Sequence, residues 1–191
     1  MIRVLHGGQT GVDRGAHEAA LKIDGWRVCG YMPRDGRDEL GKIPKAIARY
    51  LTPCPRSGYS ARTEMNVHDA EALLVVVPDM SDPRATPGTA KTLDLAAERR
   101  LPRLIVDPTT STYNIACWIR ALAQRQLGFG PDIKSPRRLR LLIAGPRESK
   151  WSGARIETAG LLRRVARELA AIDLGTSEEH NRRMPRPRSA S

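Results

Sequence analysis

The sequence predicts an α/β fold built on a mainly parallel, helix-covered sheet, and two observations carry that expectation. Short apolar runs alternate with segments of helical period along most of the chain, and strands separated by helices run parallel with right-handed crossovers. The apolar fraction is 40% with one Phe, four Tyr and three Trp, so the core is drawn from Ala, Leu, Val and Ile. At 191 residues the chain has room for one domain, placed at 1–174, and a tail.

The elements follow in order. The run "IRVLH" (2–6) is the first strand and leads into a helix at about 12–22, which Gly25 stops before "WRVCG" (26–30). Residues 31–58 have no strong period, and so long an irregular segment in a compact domain points to function. "ALLVVV" (72–77) is unbroken and β-branched, as suits a strand covered on both faces. A helix at about 88–99 follows, then "RLIV" (103–106) and a helix at about 112–126 with Ile115, Ile119 and Leu122 on one face. "LRLLIA" (139–144) is the last strand, before a helix at about 153–172 that lines up Leu161, Leu162, Val165 and Leu169. The tail, 175–191, is rich in Pro, Ser and Arg and is expected to be a disordered basic segment that solubilises the chain or touches nucleic acid.

Charge and cysteine usage narrow the partners. The net charge is +11, which favours an anionic partner: nucleic acid, anionic lipid or a phosphorylated small molecule. The three cysteines, Cys29, Cys54 and Cys117, form no C-x-x-C pair, so neither a disulfide framework nor a metal site is expected, and core packing is their expected role. No apolar run is long enough to span a membrane and the N-terminus opens directly into a strand, so a cytoplasmic protein is expected.

In parallel sheets ligands sit beyond the carboxyl ends of the strands, and four stretches there carry unusual residues. Gly7, Gly8, Gln9, Thr10 and Gly11 open the first helix, with Arg14 in its first turn. Such a run reads as an oxyanion loop, with amides and a helix N-terminus facing a phosphate, or as a tight turn. It is neither a Walker loop nor a G-x-G-x-x-G turn. In "YSARTEMNVHDAEALLVVV" the residues Arg62, Glu64, Asn66 and Asp69 precede a buried strand, a pattern too polar for a helix packed on the core; a solvated helical face would also explain it. His68 is expected at the surface. In "RATPGTAKT" Gly88 and Thr89 open a helix and either cap it or bind a second anion. In "IAGPRES" Arg147 either awaits an anion or pairs with Glu148.

Together "GGQTGVDRGAHEAAL", "YSARTEMNVHDAEALLVV", "PGTAKT" and "LLIAGPRESK" resemble, in order, signature segments of the molybdenum cofactor carrier proteins. These belong to a Rossmann-like superfamily shared with the Lonely Guy phosphoribohydrolases and DNA-processing protein A. The resemblance covers roughly residues 2–170 and implies a doubly wound sheet with helices on both faces, a homo-oligomer, and a pocket for the molybdenum cofactor (molybdopterin) or another nucleotide-like molecule. By position it assigns phosphate binding to Gly7, Gly8, Gln9, Thr10 and Gly11, a polar segment to Glu64, Asn66 and Asp69, and a second anion loop to Gly88 and Thr89. His6 stands where the family usually has a small serine, Met65 where tryptophan is common, and "YMPRDGRDELGKIP" follows the Trp-x-Pro-x-Gly pattern only loosely.

The leading functional expectation is a non-catalytic binding protein for a phosphorylated ligand, weakened by salt and by Arg14→Ala. An N-glycosidic hydrolase is the enzymatic alternative. Its relatives carry a glutamate four residues after the glycine of their Gly-Thr pair, where this chain has Thr92, so Glu64 or Asp69 would have to substitute. A nucleic-acid-binding or nucleotide-sensing module is a third reading. The charge permits it, but few aromatics and no recognisable reading helix support it.

Overall fold

A computed structural model describes residues 1–126 and 139–183, with side chains described to Arg125 and over 139–172. Its elements in chain order are β1 (Ile2–Leu5), α1 (Val12–Ala20), β2 (Trp26–Cys29), β3 (Tyr31–Met32), β4 (Arg37–Asp38), β5 (Gly41–Lys42), α2 (Lys45–Ala48), β6 (Thr52–Pro53), α3 (Tyr59–Asp69), β7 (Ala72–Val76), α4 (Pro87–Glu98), β8 (Arg103–Val106), α5 (Thr112–Gln126), β9 (Leu139–Ala144) and α6 (Ala154–Arg183).

Five strands form one parallel sheet in the order β2-β1-β9-β7-β8. The last strand therefore slots between β1 and β7, and the chain winds outward on either side of it. Helices cover both faces, the doubly wound, Rossmann-like architecture that the sequence predicts. Alternation along β7 shows why its sequence is unbroken: Leu74 and Val76 enter one core with Val12, Ile115 and Leu161, while Leu73 and Val75 enter a second core with Val67 and Leu93. Successive side chains of a strand point to opposite faces, so a strand sandwiched between helices needs apolar residues at every position. Helices α1, α5 and α6 pack over the first face, and α3 and α4 over the second.

Three regions depart from the sequence reading. Residues 59–69 are a helix that does pack on the core, through Ala61, Asn66 and Val67. Its polar residues misled the reading because Asn66 is buried with every amide group satisfied by backbone. Residues 31–58 are not wholly irregular: β3 pairs with β6 and β4 with β5, around the short α2. Helix α6 runs on to Arg183, so the backbone over 175–183 continues the helix where the sequence suggested a disordered tail; residues 184–191 lie outside the described residues. Among the described residues no helix is long and apolar enough to cross a membrane.

Candidate functional site

The glycine loop between β1 and α1 is closed by the chain's own acceptors. Asp13, in the first turn of α1, turns its carboxylate back to accept the Gly7 amide at 2.9 Å and the Gln9 amide at 3.0 Å on Oδ2. The Gly8 amide donates to His6 Nδ1 at 3.1 Å and the Thr10 amide to Gln9 Oε1 at 3.0 Å. The Val12 amide donates to the Pro146 carbonyl at 3.2 Å. The loop amides from Gly7 to Thr10 and the Val12 amide are thus taken, and an internal carboxylate stands where the sequence suggested a phosphate. Gly11 is required for packing as well as conformation: its φ is 66°, and a Cβ there would lie 2.6 Å from the Pro146 carbonyl oxygen.

Thr10 and Arg14 are also committed. Buried Thr10 donates its hydroxyl to Glu39 and accepts the Glu148 amide at 3.1 Å. Arg14 forms an ion pair with Asp38, which is almost fully buried. The guanidinium expected to meet a ligand instead ties α1 to the β4–β5 hairpin. Arg147 pairs with Glu39 at 3.2 Å, while Glu148 accepts the Gly153 and Arg155 amides at the start of α6, so Arg147 and Glu148 do not pair with each other.

The residues of α3 divide. Asn66 Oδ1 accepts the Tyr31 amide at 2.9 Å and its Nδ2 donates to the Tyr31 carbonyl at 2.9 Å, so it clamps β3 as a third strand would. Asp69 accepts the Tyr31 hydroxyl at 3.0 Å and lies 3.3 Å from the exposed His68. Glu64 is held by Ser60 at 2.9 Å and Arg56 at 3.0 Å, with Lys91 at 3.7 Å. None of these three lines the cleft described next, although Lys91 and Ser60, which hold Glu64, do.

That cleft, about 380 Å³, opens beyond the carboxyl ends of the strands. The starts of α3 and α4, Gln9 of the glycine loop, and the segment after β9 form its walls. Its cations are Arg62, Lys91, Arg147 and Lys150, and its one lining carboxylate is Asp13. Lys150 has no partner among the described residues. Thr86 caps α4, accepting the Thr89 amide at 3.3 Å; Pro87 has no amide to give, and the Gly88 amide is left without a partner among the described residues. No atom lies within 4 Å of a Cβ placed on Gly88, so its backbone faces open space. Two helix N-termini and four cations converge on this volume; Arg62, Lys91 and Arg147 lie near Asp13, Glu64 and Glu39, and Lys150 with the two helix starts makes the arrangement anion-seeking.

The sequence places Arg62 in the polar segment and outside the expected ligand set, whereas in the structure it links the glycine loop to the cleft. Its Nη1 donates to the Gly7 carbonyl at 3.2 Å and lies 3.7 Å from Asp13 Oδ2, while its buried Nε has no partner. Beside it a cavity of about 30 Å³, lined by Gly7, Asp13, Thr63, Asn66 and Thr92 among others, is large enough for a water. Burial raises the Asp13 carboxyl above the usual range against the pull of Arg62 and the two amides. Under the loop, His6 is fully buried and lowered to about 3, chiefly by desolvation, with His17 adding to the effect. Because His6 Nδ1 accepts the Gly8 amide, its proton sits on Nε2 and is donated to His17 Nδ1 at 3.1 Å. His6 in place of a small residue thus props the loop from below.

Of the cysteines, Cys54 is buried against Met65 Sδ at 3.3 Å, and Cys29 and Cys117 are half-buried. None lines the cleft. The Thr92 hydroxyl, at the position of the hydrolases' glutamate, donates to the Gly88 carbonyl at 2.9 Å.

The comparisons agree with this architecture. The sequence pattern of the Circularly permutated YpsA SLOG family matches residues 4–166. The chain is 28% identical to a "Putative molybdenum carrier protein" of known crystal structure from Syntrophus aciditrophicus SB, with a TM-score of 0.69 over 86% of this chain and 94% of that one. No curated protein matches it. The chain therefore belongs to the circularly permutated YpsA SLOG family.

Proposed function

We propose that the cleft binds a small molecule that joins a phosphate or similar anion to a planar ring. The observation that carries this reading is the convergence of Arg62, Lys91, Arg147 and Lys150 with the unpartnered Gly88 amide around about 380 Å³, a volume in the range of small-ligand sites. The anion fits against the start of α4, where Gly88 offers an unspent amide, with Lys150 lining the same cleft. Tyr59, half exposed at the rim, offers a face for the ring. Asp13 is the lining acceptor for ring nitrogens.

The molybdenum cofactor, a pterin bearing a phosphate, has this chemistry, and the likeness to the molybdenum carrier protein supports it as the occupant. The protein acts as a holder in this reading. Neither Glu64 nor Asp69 lines the cleft, so neither is placed to act as the acid of a glycosidic hydrolysis there.

The test is native mass spectrometry of the purified protein, followed by calorimetric titration with a phosphorylated pterin and with a nucleoside monophosphate. Lys150→Gln combined with Arg147→Gln is expected to remove the adduct and weaken the preferred ligand by roughly a hundredfold, about tenfold per charge-assisted contact. Binding unchanged in that folded variant would refute the assignment of the cleft.

A further inference from the structure

We infer that the opposite end of the sheet carries a second anion-binding surface, for the phosphate backbone of a nucleic acid strand, built on a row of arginines across three adjacent strands. The register places Arg27 of β2 beside Arg3 of β1, and Arg3 beside Arg140 of β9. All three are exposed while the residues before them, Ile2, Trp26 and Leu139, are buried in the core of the other face. The three side chains therefore rise from one face, the α3/α4 side, and all three are exposed there. Arg3 and Arg140 both act on the Cys29 thiol, two residues further along that same face, which agrees with this placement.

Neighbouring strands lie about 4.8 Å apart, so three guanidiniums project from about 10 Å of sheet. Like charges on adjacent strands repel, and the described residues do little to relieve them. Arg140 has Glu71 at 3.8 Å, Arg27 donates to its own neighbour's carbonyl, Trp26 O, at 2.9 Å, and Arg3, between the two, has no partner among the described residues. The other nearby carboxylate, Asp69, is engaged with Tyr31 and His68. On the edge strand β2 a cation guards against unwanted strand pairing. That account does not extend to Arg3 and Arg140, which stand on interior strands.

A polyanion matches this row in sign, and long arginine side chains on neighbouring strands can reach successive phosphates. A second copy of the same face would oppose arginine to arginine, so self-association does not relieve it. The row sits at the second residue of each strand, whereas the cleft lies beyond the last, so the two surfaces are separate. With no aromatic side chain in the row, binding is through phosphates and without sequence preference.

Fluorescence anisotropy of the full chain with a labelled single strand of about 20 nucleotides, between about 50 and 200 mM salt, tests this. Arg3→Gln with Arg27→Gln is expected to lower affinity roughly twentyfold near 0.1 M salt and to flatten the log–log salt slope by about 1.4, the share of two phosphate contacts on a single strand. Arg3→Lys with Arg27→Lys is expected to keep most of both. Lys91→Gln with Lys150→Gln makes the same charge change at the cleft and is expected to cost less than threefold through the general field. Equal losses from the two glutamine pairs would overturn the assignment, as would the absence of oligonucleotide binding or preferential capture of poly-glutamate. Failure of ligand binding in the cleft leaves this result unaffected.

Discussion

Two strand-to-helix junctions at the same end of the sheet use nearly the same residues to opposite effect. Before α1, Gly7 to Gly11 fold around Asp13, His6 and Gln9, and the amides of Gly7, Gly8, Gln9 and Thr10 are all spent inside the loop. Before α4, the Thr86 hydroxyl takes the Thr89 amide and the Thr86 carbonyl the Ala90 amide, Pro87 brings none, and Gly88 faces the cleft. A glycine-rich helix start becomes an anion seat only when the chain supplies no acceptor of its own. The first junction contains an aspartate, the second residue of α1, that can reach back; the second has none.

The largest expected effects break the closed junction. Asp13→Ala leaves two amides without their acceptor and Arg62 without its counter-charge, and is expected to cost about 3–5 kcal/mol in urea denaturation, whereas Asp13→Asn keeps an acceptor oxygen and loses clearly less. Arg14→Ala strands buried Asp38 and belongs in the same range, with ligand affinity in the cleft unchanged. That outcome would replace the expectation that Arg14 serves the ligand; a fall in affinity with stability intact would restore it.

Gly11→Ala is next. Its positive φ and the 2.6 Å approach to Pro146 set an expected loss of about 2–3 kcal/mol from strain and overpacking, readable as a lowered thermal midpoint. Acid should act on a comparable scale through His6. The folded imidazole is lowered to about 3 while the unfolded one titrates near 6.5, so below that pH the unfolded chain binds a proton that the folded chain refuses, and stability falls as pH falls. From pH 7 to 5 this amounts to about 2 kcal/mol. His17 is lowered too, first by burial, and acts with the same sign. Asp13, raised by burial, acts with the opposite sign above its unfolded value near 3.8. Melting curves of wild type and His6→Asn across this range separate the imidazole's share, which the variant should lack.

The smallest effect sharpens the comparison from its open side. Gly88→Ala meets no atom and needs no unusual backbone, so it is expected to stabilise by about 0.5–1 kcal/mol through helix propensity. The cost of the Gly11 variant and the gain of the Gly88 variant, measured side by side, distinguish a packed loop from an exposed one. Equal costs would erase the distinction.

Much of the fold was legible in the chain. The alternating apolar runs located the five strands of the main sheet, because hydrophobic period is a local property of the residues that make each element. Helix α3 was misjudged because Asn66 is polar and buried, and polarity in a sequence carries no sign of which backbone group it will satisfy. The short ladders of 31–58 were missed because two-residue strands have no period to detect. Of the expected ligand residues, Gln9, Gly88 and Thr89 line the cleft, while Thr10, Arg14, Asn66 and Asp69 are held by Glu39, Asp38, the Tyr31 backbone and the Tyr31 hydroxyl. Arg147 drew attention because it follows a strand; Lys150 and Lys91 carried no local signal.

Composition and period alone thus determine that this chain forms a helix-covered parallel sheet, that its helix starts lie at one end, and that it is strongly basic, with a net charge of +11. Which loop amides are spent, and that Arg14 is spent too, is decided by Asp13 with its neighbouring loop and by Asp38, 24 residues from the Arg14 it neutralises. Charge and hydrogen-bonding capacity belong to the residue, but whether they remain unspent depends on partners that only the folded chain brings within 3 Å or so.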